Sequence, residues 1–498
     1  MSKSYGPCDT PGSTGLALCE PTLFERSTPG RQGFSLPSLD VPEAATLPEN
    51  LQRLTPAAWP EVSEVEVFRH FVRLSQYNYG LDSGLYPLGS CTMKYNPKIN
   101  EDLARLPGFA DAHPAAEHQG LWELIFNLEQ HLAEISGMDA VTCQPAAGAH
   151  GELTGMMLIR AYHEARGQKR TKVIIPDTAH GTNPASATIC NYDVVPLKSG
   201  AAGILTPEAV AEIMDDQVAA IMITNPNTLG LFESNIAQIA QIVHDQGGLV
   251  YMDGANLNAI MGITRPGDFG IDVLHFNLHK TFSTPHGGGG PGAGPVGVKK
   301  HMAPFLPAPV IVKRDGGFAL DHDRPQTIGR VRSWWGNVGV LVRAYAYIRE
   351  LGAPGLKASS EMAVLNANYI RARLQDLYTV AYEAPCMHEV VFAEKGLPND
   401  VSTMDVAKRL IDYGFHPPTV YFPLVVKGAI MVEPTESFEP ESLDGFITAM
   451  RNIHAEAGSH PELVKSAPHN TTCKKVDEVT AARHPRLTAD MDPDARRA

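Results

Sequence analysis

Much is missing from this 498-residue chain, and each absence closes off a class of function. No uninterrupted apolar run approaches the roughly 18 residues that a bilayer crossing requires, so no membrane partner is expected. No run of lysine and arginine offsets the formal charge of −14, which argues against nucleic acid as a partner. The seven cysteines are scattered, with no C-x-x-C pair and an odd total. That suits reduced thiols in a cytoplasm better than a disulfide framework or a zinc site. The opening residues, Met1 to Pro7, lack both the apolar core of a secretion signal and the arginine-rich pattern of a transit peptide. No internal repeat is present. What remains, at 43% hydrophobic and 19% charged residues, is an ordinary globular composition with length for two or three domains.

Residues 1 to about 63 are rich in Pro, Gly, Ser and Thr and read as an extended arm, with plain disorder the competing reading. From Glu64 the pattern turns helical. Leu121, Leu124, Ile125, Leu128, Leu132 and Ile135 recur at helical spacing, with Gly137 as the expected C-cap. Short apolar runs at Lys172 to Ile175, Val218 to Thr224, Leu249 to Met252 and Val273 to Leu278 read as strands. A helix from about Asn235 to Gln246, capped by Ser234, separates two of them. Strands alternating with helices predict an α/β fold, with a mainly parallel sheet covered on both faces, over residues 64–350. From 351 to 467 the texture becomes that of a smaller C-terminal α+β domain. It begins with a helix over Ala358 to Leu377 and has later strands near Val380 to Tyr382, His388 to Phe392 and Ala429 to Val432. Helices are expected near Met404 to Tyr413 and Glu441 to Ala455, before a loose tail from 468.

The chemistry concentrates at strand ends, where ligands bind in a doubly wound sheet. Lys280 follows a strand-like run and precedes a glycine-rich loop, Ser283 to Gly294. Partial desolvation frees such an amine to form a Schiff base, and glycines let backbone approach a bulky phosphate-bearing group. Alone, it reads more readily as a buried lysine paired with a carboxylate beside an ordinary flexible loop. Upstream, Ala147-Gly148-Ala149 opens a helix whose free N–H groups suit a phosphate. His180, in the turn after a strand, can stack flat on a heteroaromatic ring, and His150 competes for that role. Thr224 and Asn225 close another strand, and Asn225 or Asn227 can meet a phenolate-type oxygen, unless the segment is a simple Asn-Pro turn. Asp253 ends a buried strand and needs a partner, which a protonated pyridine nitrogen would supply. Ala255 is small enough for a ring to lie against, and His279 stands next to the lysine. Lys94 is either a carboxylate or phosphate binder or a solvated surface charge. The combination points to pyridoxal 5'-phosphate.

Four strings carry a family resemblance: Tyr86-Pro87-Leu88-Gly89-Ser90-Cys91-Thr92-Met93-Lys94, Ala179 to Ser186, Asp253-Gly254-Ala255-Asn256 and Asn277-Leu278-His279-Lys280-Thr281-Phe282. In these the chain resembles the glycine dehydrogenase (decarboxylating) family, the P-protein of the glycine cleavage system. By length it resembles the second (beta) subunit of the split form. The resemblance implies a fold-type-I pyridoxal-phosphate-dependent transferase fold. It implies Lys280 as the Schiff-base lysine, Asp253 as partner of the pyridine nitrogen and His180 as the stacking residue. It further implies decarboxylation of glycine and transfer of the aminomethyl group to the lipoyl arm of H-protein. The implied assembly is a heterotetramer of two beta subunits with two copies of subunit 1 (alpha). Ser90-Cys91-Thr92 and the loop from Ser283 to Gly294 are expected rims of the lipoyl entrance. The rivals are another fold-type-I enzyme, an amino-acid decarboxylase or a cysteine desulfurase using Cys91, and a non-catalytic partner-binding subunit.

Overall fold

The computed structural model describes residues 20–35, 37–42, 47–55, 57–287, 292–471 and 474–485. The middle of the loop after Lys280, Gly288 to Pro291, lies outside the described residues, as do the first 19 residues and the end of the tail. The chain divides into two compact units, one of residues 81–410 and 415–465, the other of 1–80, 411–414 and 466–498. No described helix is long and apolar enough to cross a membrane.

The larger unit is built on a seven-stranded sheet. Its strands are β1 (Ala140–Thr142), β2 (Lys172–Pro176), β3 (Asp193–Leu197), β4 (Val218–Thr224), β5 (Leu249–Gly254), β6 (Val273–Phe276) and β7 (Val296–Val298), in the order β1-β7-β6-β5-β4-β2-β3. Strands β2 to β6 pair parallel, and β7 runs antiparallel between β1 and β6. Every residue of β4 and β5 is buried, as a sheet covered on both faces requires. Successive side chains feed opposite cores. Ile174, Ile221, Ile223, Val250 and Met252 join one cluster, while Val173, Ile175, Met222 and Tyr251 join the other. The expected α/β class with a mainly parallel sheet is what forms.

A hairpin of β8 (Val310–Arg314) and β9 (Gly317–Asp321) follows. The second sheet is antiparallel, with β10 (Thr379–Val380), β11 (Val390–Ala393), β12 (Thr419–Val420) and β13 (Ile430–Val432) in the order β10-β11-β13-β12. The long helix Val338–Leu374 is broken at Gly352, whose φ of 58° and ψ of −176° leave helical space, with Pro354 just beyond. The break falls near residue 351, and the helix expected over Ala358 to Leu377 extends back to Val338 and ends at Leu374.

Boundaries differ from expectation at two informative places. The strand ends at Phe276 rather than Leu278, and Leu278–Thr281 forms one helical turn with Asn277 at its N-cap. Leu278 is fully buried, so its hydrophobicity extends the apolar run without extending the strand. The helix expected to be capped by Ser234 runs Ile236–Asp245, with Asn235 at its N-cap. The Asn235 amide donates to Leu205 O at 2.8 Å instead of capping the helix. Gly137, by contrast, ends the helix Gln119–Ser136 in the left-handed region (φ 71°), as its spacing implied.

Candidate functional site

The carboxyl ends of β2, β4, β5 and β6 and the start of helix Gly148–Glu164 surround a cavity of about 240 Å³. The structure brings Ala147, Gly148, Ala149, His180, Thr224, Asp253, Ala255, His279 and Lys280 to its walls. Asn225 is not among the lining residues. It is fully buried, and its Oδ1 accepts the Glu233 N–H at 3.0 Å, a turn-stabilising role. Asn227 is likewise spent within its own turn, its amide donating to Gly203 O and to Glu233 Oε1. His150 also turns away from the cavity, with Nδ1 accepting the Ala146 N–H at 3.1 Å.

Close packing shapes the small-residue loop. Helix Gly148–Glu164 has Ala147 at its N-cap with no side-chain capping bond, so its first amides face the cavity without a side-chain acceptor. A Cβ on Gly148 would fall 2.2 Å from Asn277 Oδ1, and one on Gly294 would fall 2.0 Å from the Ala147 carbonyl oxygen. Only glycine allows the strands and the helix start to approach this closely.

Asp253 closes the opposite wall. It is 2% exposed, its Oδ1 accepts the Ala255 N–H at 2.9 Å, and Asn183 Nδ2 lies 3.4 Å from Oδ2. His275 Nε2 stands 3.4 Å from Oδ1, while His275 Nδ1 is 2.6 Å from the Tyr251 hydroxyl. Complete burial lowers the His275 pKa, only partly opposed by the Asp253 charge. Lys280 Nζ donates to the Ser90 carbonyl at 2.9 Å. His279 beside it is neutral, its pKa held down to about 3 by burial and then by the Lys280 ammonium. The His180 ring packs edge-on against Phe422, with centroids 5.9 Å apart, and its Nδ1 lies 3.0 Å from Thr182 Oγ1.

Several lining residues escape sequence reading. Glu152 accepts the Thr182 hydroxyl at 2.8 Å, and its other oxygen has no hydrogen-bond partner among the described residues. Burial, reinforced by the Asp253 charge, pushes its pKa up to about 8. It sits one turn after Gly148 on the helix facing Asp253, so helical spacing from the small-residue loop was the available signal. The Ser90 carbonyl is backbone and leaves no side-chain signal. Lys94 is no solvated surface charge, and the carboxylate it binds is the chain's own Glu436. It is 2% exposed, and it pairs with Glu436 at 2.7 Å while donating to Asn258 Oδ1 and the Tyr347 hydroxyl. A buried ammonium requires such a carboxylate and acceptors, and these lie 164 to 342 positions away in sequence.

The chain matches the family model described as glycine cleavage system P-protein over residues 34–323, and the model described as glycine dehydrogenase, C-terminal domain, over residues 359–473. It is 58% identical over 473 residues to a probable glycine dehydrogenase (decarboxylating) subunit 2 of Caldanaerobacter subterraneus subsp. tengcongensis, covering 93% of this chain and 97% of that relative. The protein of the same name in Listeria innocua is 57% identical over 477 residues, covering 94% and 97%. Among solved structures, the chain is similar to glycine decarboxylase (P-protein) of the glycine cleavage system in inhibitor-bound form, with TM-score 0.68 and 22% identity over 82% of this chain and 93% of that one. A cysteine desulfurase from Escherichia coli aligns with TM-score 0.59 and 15% identity over 77% and 97%. At these identities the structural likenesses show a shared fold.

Proposed function

The chain belongs to the P-protein family of the glycine cleavage system, as a glycine dehydrogenase (decarboxylating) subunit 2, and on that premise we propose that the cavity around Lys280 is where glycine is decarboxylated with pyridoxal 5'-phosphate. The residues present fit that cofactor. The exposed first amides at Ala147-Gly148-Ala149 suit its phosphate, and Asp253 suits its ring nitrogen. Lys280 would hold its carbonyl carbon covalently, with Ala255 and His180 flanking the ring. The buried Thr224 hydroxyl, without a partner among the described residues, and His279 would complete the contacts. Asn225, turned inward, would act through the turn rather than by touching the cofactor. When bound, the cofactor supplies an electron sink for the pair released as carbon dioxide leaves.

The chain's own residues have separate tasks. Asp253, held by the Ala255 amide and close to His275, is the carboxyl group that would meet the ring nitrogen of the cofactor. The Ser90 carbonyl receives the Lys280 ammonium whenever that amine is free. Neutral His279 and His275 place donors and acceptors beside the lysine without a second positive charge. The aminomethyl group then passes to the lipoyl arm of H-protein, and subunit 1 completes a heterotetramer of two alpha and two beta subunits in the cytoplasm.

The single observation that carries this reading is the convergence of Lys280, Asp253 and the helix start on one cavity. The cysteine desulfurase reading loses support because burial pushes the Cys91 thiol up to about 11, which leaves little thiolate for attack on sulfur. The test combines subunit 1, this chain and lipoylated H-protein. Expected results are exchange of labelled bicarbonate into the glycine carboxyl group, and a cofactor absorbance near the visible edge that disappears on borohydride reduction, which leaves the cofactor fixed on Lys280, and that Lys280→Ala abolishes. Exchange into a different amino acid, with none into glycine, would overturn the assignment.

A further inference from the structure

Behind the cavity, outside its lining, lies a second cluster of titratable groups. His388, Glu389 and Glu433 are each fully buried, and their donor atoms gather within 4.8 Å of one another. The β11–β13 register explains the meeting. Val390 pairs with Val432 and Val391 with Met431, so the next position outward sets Glu389 directly opposite Glu433. Two carboxylates facing each other across a ladder repel. The protein tolerates the pair because each gives one oxygen to the same loop. Glu389 Oε2 accepts the Ser90 N–H and Glu433 Oε2 accepts the Thr92 N–H, both at 2.8 Å.

That loop is held in a costly shape. Ser90 (φ 64°) and Thr92 (φ 50°) both occupy the left-handed region that residues with a side chain avoid. Three further contacts fix the loop to the second sheet: a bridge between Leu88 and Val432, the Thr419 hydroxyl donating to Gly89 O at 2.7 Å, and the Glu433 N–H donating to Pro87 O. Gly89 lies so close to Met431 that an added Cβ would fall 2.2 Å from its side chain. The carbonyl that this shape presents is the acceptor of the Lys280 ammonium.

We propose that Glu389 and Glu433 are positioning residues for Lys280, a two-carboxyl clamp that holds the Ser90–Thr92 turn and so aims the Ser90 carbonyl at the lysine amine. The clamp rests on the assignment of the cavity to pyridoxal phosphate. Burial raises both carboxyl pKa values, Glu389 further through the Glu433 charge and Glu433 through that of Glu436, which limits the negative charge of the pair beside the lysine. The remaining oxygens, Glu389 Oε1 and Glu433 Oε1, face His388 Nε2 at 3.9 Å and have no hydrogen-bond partner among the described residues. The bonds from the Ser90 and Thr92 amides to the other two oxygens are the clamp's grip.

The test uses the full chain with subunit 1 and follows capture of added pyridoxal phosphate by absorbance, with borohydride fixation at Lys280. Glu389→Ala and Glu433→Ala should each slow capture by about tenfold or more, the scale of leaving one buried amide without its hydrogen bond. Glu389→Gln and Glu433→Gln keep an acceptor oxygen and should recover most of the rate. Alanine variants that load as fast as wild type, or glutamine variants as slow as alanine, would sink the clamp. Hydrogen exchange on the wild-type chain decides the matter if the alanine variants fail to fold, since the Ser90 and Thr92 amides must be protected. Exchange of both at the rate of open loop overturns the proposal. A wild-type chain that captures no cofactor at all would instead refute the cavity assignment.

Discussion

Glu152 shows at the scale of one residue how the cavity sets charge. Its carboxyl is buried and shares the cavity wall with Asp253, so burial and then the Asp253 charge disfavour its ionisation and push its pKa up to about 8. The folded pKa lies above the ordinary value of 4.5, so folding favours the protonated form. The stability it contributes is full below about pH 4.5 and is lost as pH rises toward 8, at up to about 1.4 kcal/mol per pH unit across that window. Glu152→Gln removes the titration. Without cofactor, the variant should gain thermal stability over wild type as pH climbs from 5 to 8, with the two converging near pH 4.5. A difference in melting temperature that stays constant across this range would show that Glu152 ionises freely in the folded chain.

Among elements, the approach of the β6–β7 connection to the start of helix Gly148–Glu164 decides whether the phosphate cradle exists. Gly294 N–H donates to the Pro145 carbonyl at 3.1 Å, and the Gly294 Cβ position is filled by Ala147 O. Gly294→Ala brings a methyl against backbone that no rotamer can clear, so the cradle must shift. The expected cost is about 100-fold in glycine-dependent bicarbonate exchange, the scale of a displacement near 1 Å in a reacting geometry. Exchange within a few-fold of wild type would show that the loop absorbs the methyl elsewhere. Elements also explain what could be read in advance. β4 and β5 were legible because buried parallel strands are uniformly apolar, and Asp253 stood out as the one carboxylate ending such a run. β1 and β7, three residues each, were too short for periodicity to register. Lys280 was legible, but its helical turn was not, since Leu278 is apolar whether it extends a strand or opens a turn. Glu389 and Glu433 were invisible because their partners, Ser90 and Thr92, lie 299 and 341 positions away. Side chains that bond to distant backbone leave no local pattern.

At the scale of the whole molecule, stability is unevenly distributed between the two compact units. The larger one holds the sheet and the extensive apolar clusters. In residues 20–80, helix Glu64–Ser75 buries His70 alone, while Phe68 is 70% and Phe71 57% exposed. Ion pairs to one carboxylate join its parts. Glu20, its side chain only 4% exposed, accepts from Arg26 at 2.8 Å and Arg73 at 3.2 Å and meets His70 at 3.0 Å. A segment held by ion pairs and few apolar contacts opens at lower free energy than a packed core. Limited proteolysis of this chain alone, with a protease selective for aromatic residues, should therefore cut first around Phe68 and Phe71 and leave a resistant fragment that contains residues 81–465. Glu20→Ala leaves three cationic or cation-forming side chains without their shared carboxylate and should speed that first cut several-fold, with no change in the later decay of the fragment. A first cut within residues 140–298, or a cleavage rate indifferent to Glu20, would mean that the segment draws its order from something other than the Glu20 hub.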